Sequence, residues 1–418
     1  MKRALIFCLS VCTTLVAQRM PPPTDLAGHP FFIKKTWVLG GVGNWDYLTL
    51  DPIARQLFIA HGPAVQVVDV ETGQLAGTVT GLREAHSIVL DPDGAFGYVT
   101  DGAASEVKVF DRRSLQVVAA IPTGPAPRAM AFEPQTKWLF VIGAQPIGEK
   151  PAVAQDGSAS ERRGSRNAAP RSQSTVTVID TQTRKQLVQI VVSGAFGFVE
   201  ADGNGQVFVT VSDLNQIVRL DAVAIGSALH RLHDTSSASQ PGPATKIPKA
   251  VVLDWTSEAR PAPPPEVRPH FFALGPGCQE PRALAVDASH QRLFAACTNM
   301  KMVVLDAGSG ANVASVPIGL GADAIGFDAD RGLIFSANGG GDGSVTVIRQ
   351  DVTDTYSVVQ ILPTRQRART LAINSSTGEV YLATVMYGAA LDRTPINGLG
   401  TLKMNPVDGS FQVLVIGN

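Results

Sequence analysis

Cysteine is scarce in this 418-residue chain, with four in all, and charged residues make up only 17%. Beyond the N-terminus no apolar run approaches the roughly 20 residues that a membrane-spanning helix needs. Mean hydropathy is nevertheless only +0.11, so low charge is not matched by high hydrophobicity, which excludes both a disordered chain and a polytopic membrane protein. With 35 Lys+Arg against 36 Asp+Glu spread along the sequence, no general attraction toward nucleic acid or anionic lipid is expected, and either would need a local patch. Three reaction signatures are also missing. There is no Cys-x-x-Cys-His haem attachment, no His-Glu-x-x-His zinc helix and no Gly-x-Ser-x-Gly elbow, which argues against covalent haem, a zincin-type protease and a doubly wound hydrolase. No cofactor is expected.

What is abundant is turn chemistry: 40 Gly and 28 Pro, above their usual combined share of roughly 12%. The N-terminus reads as an export signal over residues 1–17, with Lys2 and Arg3 preceding an apolar run from Ala4 to Ala17. Val11 before Cys12 and Phe7 before Cys8 fit poorly with a lipoprotein alternative. Removal of the signal leaves Cys278 and Cys297 in the mature chain. Their pairing in an oxidising, periplasmic or secreted setting would stabilise by roughly 3 kcal/mol; the alternative is two buried thiols.

Seven short apolar alternations end at a turn residue: Asp51, Asp91, Glu133, Asp202, Asp287, Asp328 and Asn374. An aromatic follows seven residues later at Phe58, Tyr98, Phe140, Phe294, Phe335 and Tyr381, and six later at Phe208 in the fourth unit. A third run then stops at an Asp in five units (Asp69, Asp111, Asp180, Asp221, Asp306), where the carboxylate can accept backbone amides of the next turn. A fourth run follows in most units, so each is a four-stranded antiparallel meander. Such sheets cannot bury both faces alone; stacked radially they form an all-β, seven-bladed β-propeller. Unit spacings are 40, 42, 69, 85, 41 and 46 residues, so the two long intervals hold insertions, at 144–173 and 222–269.

The first is Arg- and Ser-rich (Arg162, Arg163, Arg166, Arg171) and reads as a solvated loop between second and third strands. In the second, Pro261 to Pro265 should be extended, and Ile247 to Trp255 is a candidate extra strand. His230, His233 and Asp234 lie there at a spacing that one helix face would bring together, a weak metal signal. Gly339 to Gly343 is a hairpin loop, since no helix follows it as a phosphate cradle requires. Residues 18–34 form a leader, and the propeller spans 35–418. Either Lys35 to Leu39 or Phe411 to Ile416 is expected to supply the outermost strand of the closing blade.

Gly97-Tyr98-Val99-Thr100-Asp101, Val107-Lys108-Val109-Phe110-Asp111 and Pro127-Arg128-Ala129 resemble the YVTN repeat of secreted YncE-like β-propellers, with Ala195-Phe196-Gly197-Phe198 departing most. The resemblance implies the fold, but the family is a scaffold with diverse roles. Propellers similar to the YVTN type serve as subunits of quinoprotein amine dehydrogenases and as lactonases, which supplies the enzymatic alternative: a dehydrogenase subunit or a lactonase-like hydrolase.

Residues five before each turn position are Asp46, His86, Arg128, Gly197, Arg282, Asp323 and Arg369. They belong to the approach to each innermost strand, where a propeller's channel opens. Such a ring suits a small anionic or zwitterionic ligand, or a protein partner, with Arg forks gripping carboxylate or phosphate and His86 suited to proton transfer. The competing expectation is that these residues pair across blades and close the channel. Trp45 and His61 extend the same candidate surface. No catalytic set is recognisable, and the chain is read as a monomeric binding or interaction scaffold.

Overall fold

The computed structural model describes residues 29–41, 43–92, 94–145, 172–237, 251–255, 267–351, 354–396 and 399–418. Residues 1–17, read above as an export signal, most of the first insertion with its arginines, and Pro261 to Pro265 lie outside them.

Seven sheets of four antiparallel strands follow one another along the chain. Their innermost strands are Trp45–Asp51, Ala85–Leu90, Pro127–Glu133, Phe196–Ala201, Pro281–Asp287, Ala322–Asp328 and Thr370–Asn374. The repeated aromatics explain why the sheets stack. Phe58, Tyr98, Phe140, Phe208, Phe294, Phe335 and Tyr381 all sit on second strands and are at most 1% exposed, each filling the space between neighbouring blades. Replacing such a ring by Ala costs roughly 3–5 kcal/mol.

The turn acids act as expected. Asp69 Oδ1 accepts the amides of Glu71 and Thr72 at 3.0 and 2.8 Å, Asp111 those of Arg113 and Ser114, and Asp306 that of Ser309. Turn amide and hydroxyl donors hold all three carboxyls below the usual range.

Both candidate closing segments enter the seventh blade. Phe32–Val38 is its outermost strand, paired antiparallel with Gln412–Gly417, which is the third strand. Trp37 stacks on Tyr381 at 5.5 Å. The Phe31 backbone exchanges hydrogen bonds with the Gln360 amide at 2.8 and 2.7 Å, pinning the start of the propeller to blade six.

A third insertion escaped the spacing count because it lies beyond Asn374, the last repeat position counted. The hairpin Tyr387–Ile396 with Leu399–Pro406 interrupts blade seven between its second and third strands. In blade three the second and third strands, Trp138–Gln145 and Gln173–Asp180, stay paired up to Gln145 and Gln173, the base of the first insertion. The second insertion carries more structure than expected. Asp221 accepts the Ala224 amide at 2.8 Å and starts an α-helix, Ala222–Ser237. Ala222, Ile225, Ala228 and Leu229, at helical spacing, join the buried core cluster that also holds Val188 and Ile190 of blade three and Val218 and Leu220 of blade four. Val251–Trp255 then adds a parallel fifth strand to the outer edge of blade three, covering an edge that would otherwise be open.

Cys278 and Cys297 form a disulfide with Cα atoms 5.3 Å apart, tying the loop before blade five to the end of that blade's second strand. Among the described residues no helix is long and apolar enough to cross a membrane.

Candidate functional site

In each of the first six innermost strands the ladder register slips by one residue at the channel-mouth end. The slip falls at the ring positions. Asp46 and Tyr47 together oppose one residue, between the pairs Trp45↔His61 and Leu48↔Ile59; Arg128 lies between Pro127↔Gly143 and Ala129↔Ile142. A bulge of this kind re-aims a side chain and frees a backbone amide. Hydroxyls on the second strands accept such amides: Thr100 Oγ1 from Ser87 at 2.8 Å, and Thr210 Oγ1 from Phe198 at 3.0 Å.

Asp46, Arg128, Gly197, Arg282, Asp323 and Arg369 line one cavity of about 360 Å³ at this mouth. His86 does not line it. Its Nδ1 lies 2.8 Å from Asp46 Oδ2 and its Nε2 3.5 Å from Glu84 Oε1, and its side chain is largely buried, so it orients Asp46 from behind. Arg369 Nη2 donates to the Trp45 carbonyl at 2.8 Å, and the guanidinium stands 4.8 Å from the centre of the Trp45 ring. Arg282 donates to Glu280 on its own approach loop at 3.0 Å. Arg128 is exposed. Among the described residues no ion pair within 4 Å joins these three arginines to Asp46 or Asp323. Burial raises the Asp323 carboxyl, with Asp46 adding to the shift and Arg369 and Arg282 opposing it. Among the described ring residues, then, Asp46 and His86 pair across blades, whereas the three arginines make no ion pair with Asp46 or Asp323.

Trp45 and His61 do not line the cavity. Trp45 is 3% exposed beneath Arg369. His61 is wedged between the Gly43 carbonyl at 3.2 Å and Gln66 Oε1 at 3.1 Å, with the Phe411 ring 4.2 Å away. Both pack the junction of blades one and seven. His230 is exposed on the helix, the side chains of His233 and Asp234 lie outside the described residues, and among the described residues no group of three His, Cys, Asp or Glu is placed to hold a metal.

Three channel residues went unread in the sequence. Tyr47 and Phe198, from blades one and four, meet across the axis with ring centres 5.2 Å apart and line the cavity. The other five units carry Ser87, Ala129, Ala283, Ala324 and Thr370 at that position, so two large rings occupy space that small side chains leave open. Glu200 sits two residues past Phe198, where the remaining units have Thr49, Val89, Ala131, Ala285, Gly326 and Ala372. Desolvation inside the channel pushes its carboxyl up to about 7. Burial likewise pushes the Tyr47 hydroxyl well up, with Asp46, Glu200 and Asp323 adding to the rise. One aromatic or ionisable residue at a repeat position otherwise filled by small or apolar ones was the available signal.

Sequence comparison with family models finds no match, and none is found among curated proteins. Solved structures do match in shape. The WD40 repeats of RRP9 superpose with TM-score 0.60 at 9% identity, covering 95% of this chain and 99% of that one. The structure of U3-55K gives 0.59 at 9%, covering 94% and 99%. A chain of the mitotic checkpoint complex gives 0.58 at 14%, covering 91% and 95%. At these identities the likeness is one of fold.

Proposed function

We propose that this chain is an exported binding propeller that takes an anionic group of a ligand or protein partner into the mouth of its central channel and performs no covalent chemistry on it. One observation carries the reading: Arg128, Arg282 and Arg369 line a cavity together with the paired rings of Tyr47 and Phe198, and among the described residues none is ion-paired to the carboxylates that share it. Guanidinium groups around a cavity favour carboxylate or phosphate, which they grip in bidentate fashion. Asp323 and the His86-oriented Asp46 then select against bulky polyanions or accept an ammonium group on a zwitterion. The N-terminal apolar run behind Lys2 and Arg3, the disulfide and the YVTN-like repeat residues support export and a scaffold role; the mitotic-checkpoint neighbour, a propeller within a complex, agrees with the latter.

The test is calorimetric titration with glutarate, glutamate and inorganic phosphate. The exposed pair Arg128→Ala/Arg282→Ala should weaken the best of these at least about tenfold, since a charged hydrogen bond is worth roughly 1.5–3 kcal/mol. Absence of binding by all three anions, or affinity untouched in the double variant, refutes the assignment.

A further inference from the structure

The loop that carries the chain from blade six to blade seven reads Arg365-Gln366-Arg367-Ala368-Arg369, with arginine at every second position. The loop is held in shape by its own backbone. Arg367 N donates to the Gly339 carbonyl at 2.7 Å, and Ala368 N to the Arg365 carbonyl at 3.1 Å, while Ala368 is fully buried.

Each arginine lines a different stretch of the mouth face. Arg369 borders the channel cavity. Arg367 and Arg369 border an adjoining cleft of about 300 Å³ that shares Arg282 and Asp323 with that cavity. Arg365 borders a third recess of about 250 Å³ with Met386 and Tyr387. Arg367 stands 5.1 Å from the Tyr387 ring centre. Arg365 and Arg367 are exposed, and among the described residues neither has a carboxylate within ion-pair distance. Leu320 and Met386, 52% and 51% exposed, flank the same path.

From this we infer that the mouth binds an extended acidic segment of a partner polypeptide, its alternate carboxylates laid along Arg365, Arg367 and Arg369 and its apolar side chains resting on Leu320 and Met386. The inference rests on the reading of the mouth as an anion site and names its occupant. A compact anion would use only the channel cavity and leave the outer two arginines and both apolar side chains without a role. In an extended chain, side chains two residues apart share one face and stand roughly 6.6–6.8 Å from each other, so successive carboxylates can reach successive recesses. A nucleic-acid strand fits less well, because Asp46, Asp323, Glu84 and Glu280 at the same mouth would repel a continuous line of phosphates.

Fluorescence anisotropy with a fluorescein-labelled Leu-Thr-Glu-Thr-Glu-Thr-Glu-Thr-Leu amide, whose Glu and Leu side chains share one face when extended, tests this, against labelled dT8 and alongside glutarate calorimetry. Arg365→Glu/Arg367→Glu should weaken the peptide at least about tenfold and leave glutarate affinity unchanged, and the milder Arg367→Gln should weaken the peptide alone by a smaller factor. Both variants change exposed loop positions, and a melting midpoint equal to that of the parent establishes that they fold. Glutarate binding without peptide binding, peptide affinity indifferent to both variants, or tighter binding of dT8 would each overturn the acidic-segment inference while leaving the anion site in place. Failure of glutarate and peptide together would overturn the anion site itself.

Discussion

Glu200 offers the sharpest quantitative test, because its cost to the fold has a defined pH dependence. Its carboxyl is raised from an ordinary 4.5 to about 7 by desolvation in the channel. Between those values the folded chain holds a proton that the unfolded chain has lost, so stability falls as pH rises through this window. Below 4.5 both states are protonated and nothing is lost. Above 7 both are ionised and the full difference applies, about 3 kcal/mol at 1.36 kcal/mol per pH unit. Glu200→Gln keeps the shape and removes the charge. It should therefore be more stable than the parent by about 3 kcal/mol at pH 8.5 and nearly equal to it at pH 4.5, with the gap opening between. Guanidinium unfolding of both proteins at pH 4.5, 6 and 8.5 reads this directly. A gap that is the same at every pH would mean that packing alone differs, and a less stable Gln variant at pH 8.5 would mean that the carboxylate is favourably solvated or paired in the channel. Either result refutes the argument.

Two further outcomes follow from the fold. Cys278→Ala/Cys297→Ala opens a loop whose ends are 19 residues apart in sequence, which should lower unfolding free energy by about 3 kcal/mol; a loss below about 1 kcal/mol would show that neighbouring contacts already hold the blade-five approach. Removing the chain up to residue 38 strips the outermost strand from blade seven and uncovers Tyr381 beneath Trp37. Chromatography should then show self-association through the exposed strand edge, whereas a stable monomer with an unchanged melting midpoint would show that the ring closes without that strand.

The blades were readable because the information that makes them is local. Leu50-Asp51-Pro52 ends a strand, Phe58 buries seven residues later, and Asp69 caps the third strand through Glu71 and Thr72 amides, all within one repeat. Helix Ala222–Ser237 was harder to see, since its apolar face is short and is stabilised by joining a core cluster built from strands of blades three and four. His61 looked like a mouth residue from its place at the end of a second strand, yet Gly43, Gln66 and Phe411 enclose it. Strand position locates a residue along a blade, and neighbours from other blades decide where its side chain is enclosed.

By itself, then, the sequence determined the seven-fold repeat, the buried aromatic of each blade and the turn carboxylates, because each depends on spacing within about one repeat length. Tertiary structure alone decided that Phe32–Val38 lies outside Gln412–Gly417 in the closing blade, that Tyr47 and Phe198 meet across the axis, and that, among the described residues, the ring arginines make no ion pair with Asp46 or Asp323 while Asp46 takes His86. Those outcomes depend on chain segments far apart in sequence converging on one axis, and their charges and volumes act on one another only once the ring has closed.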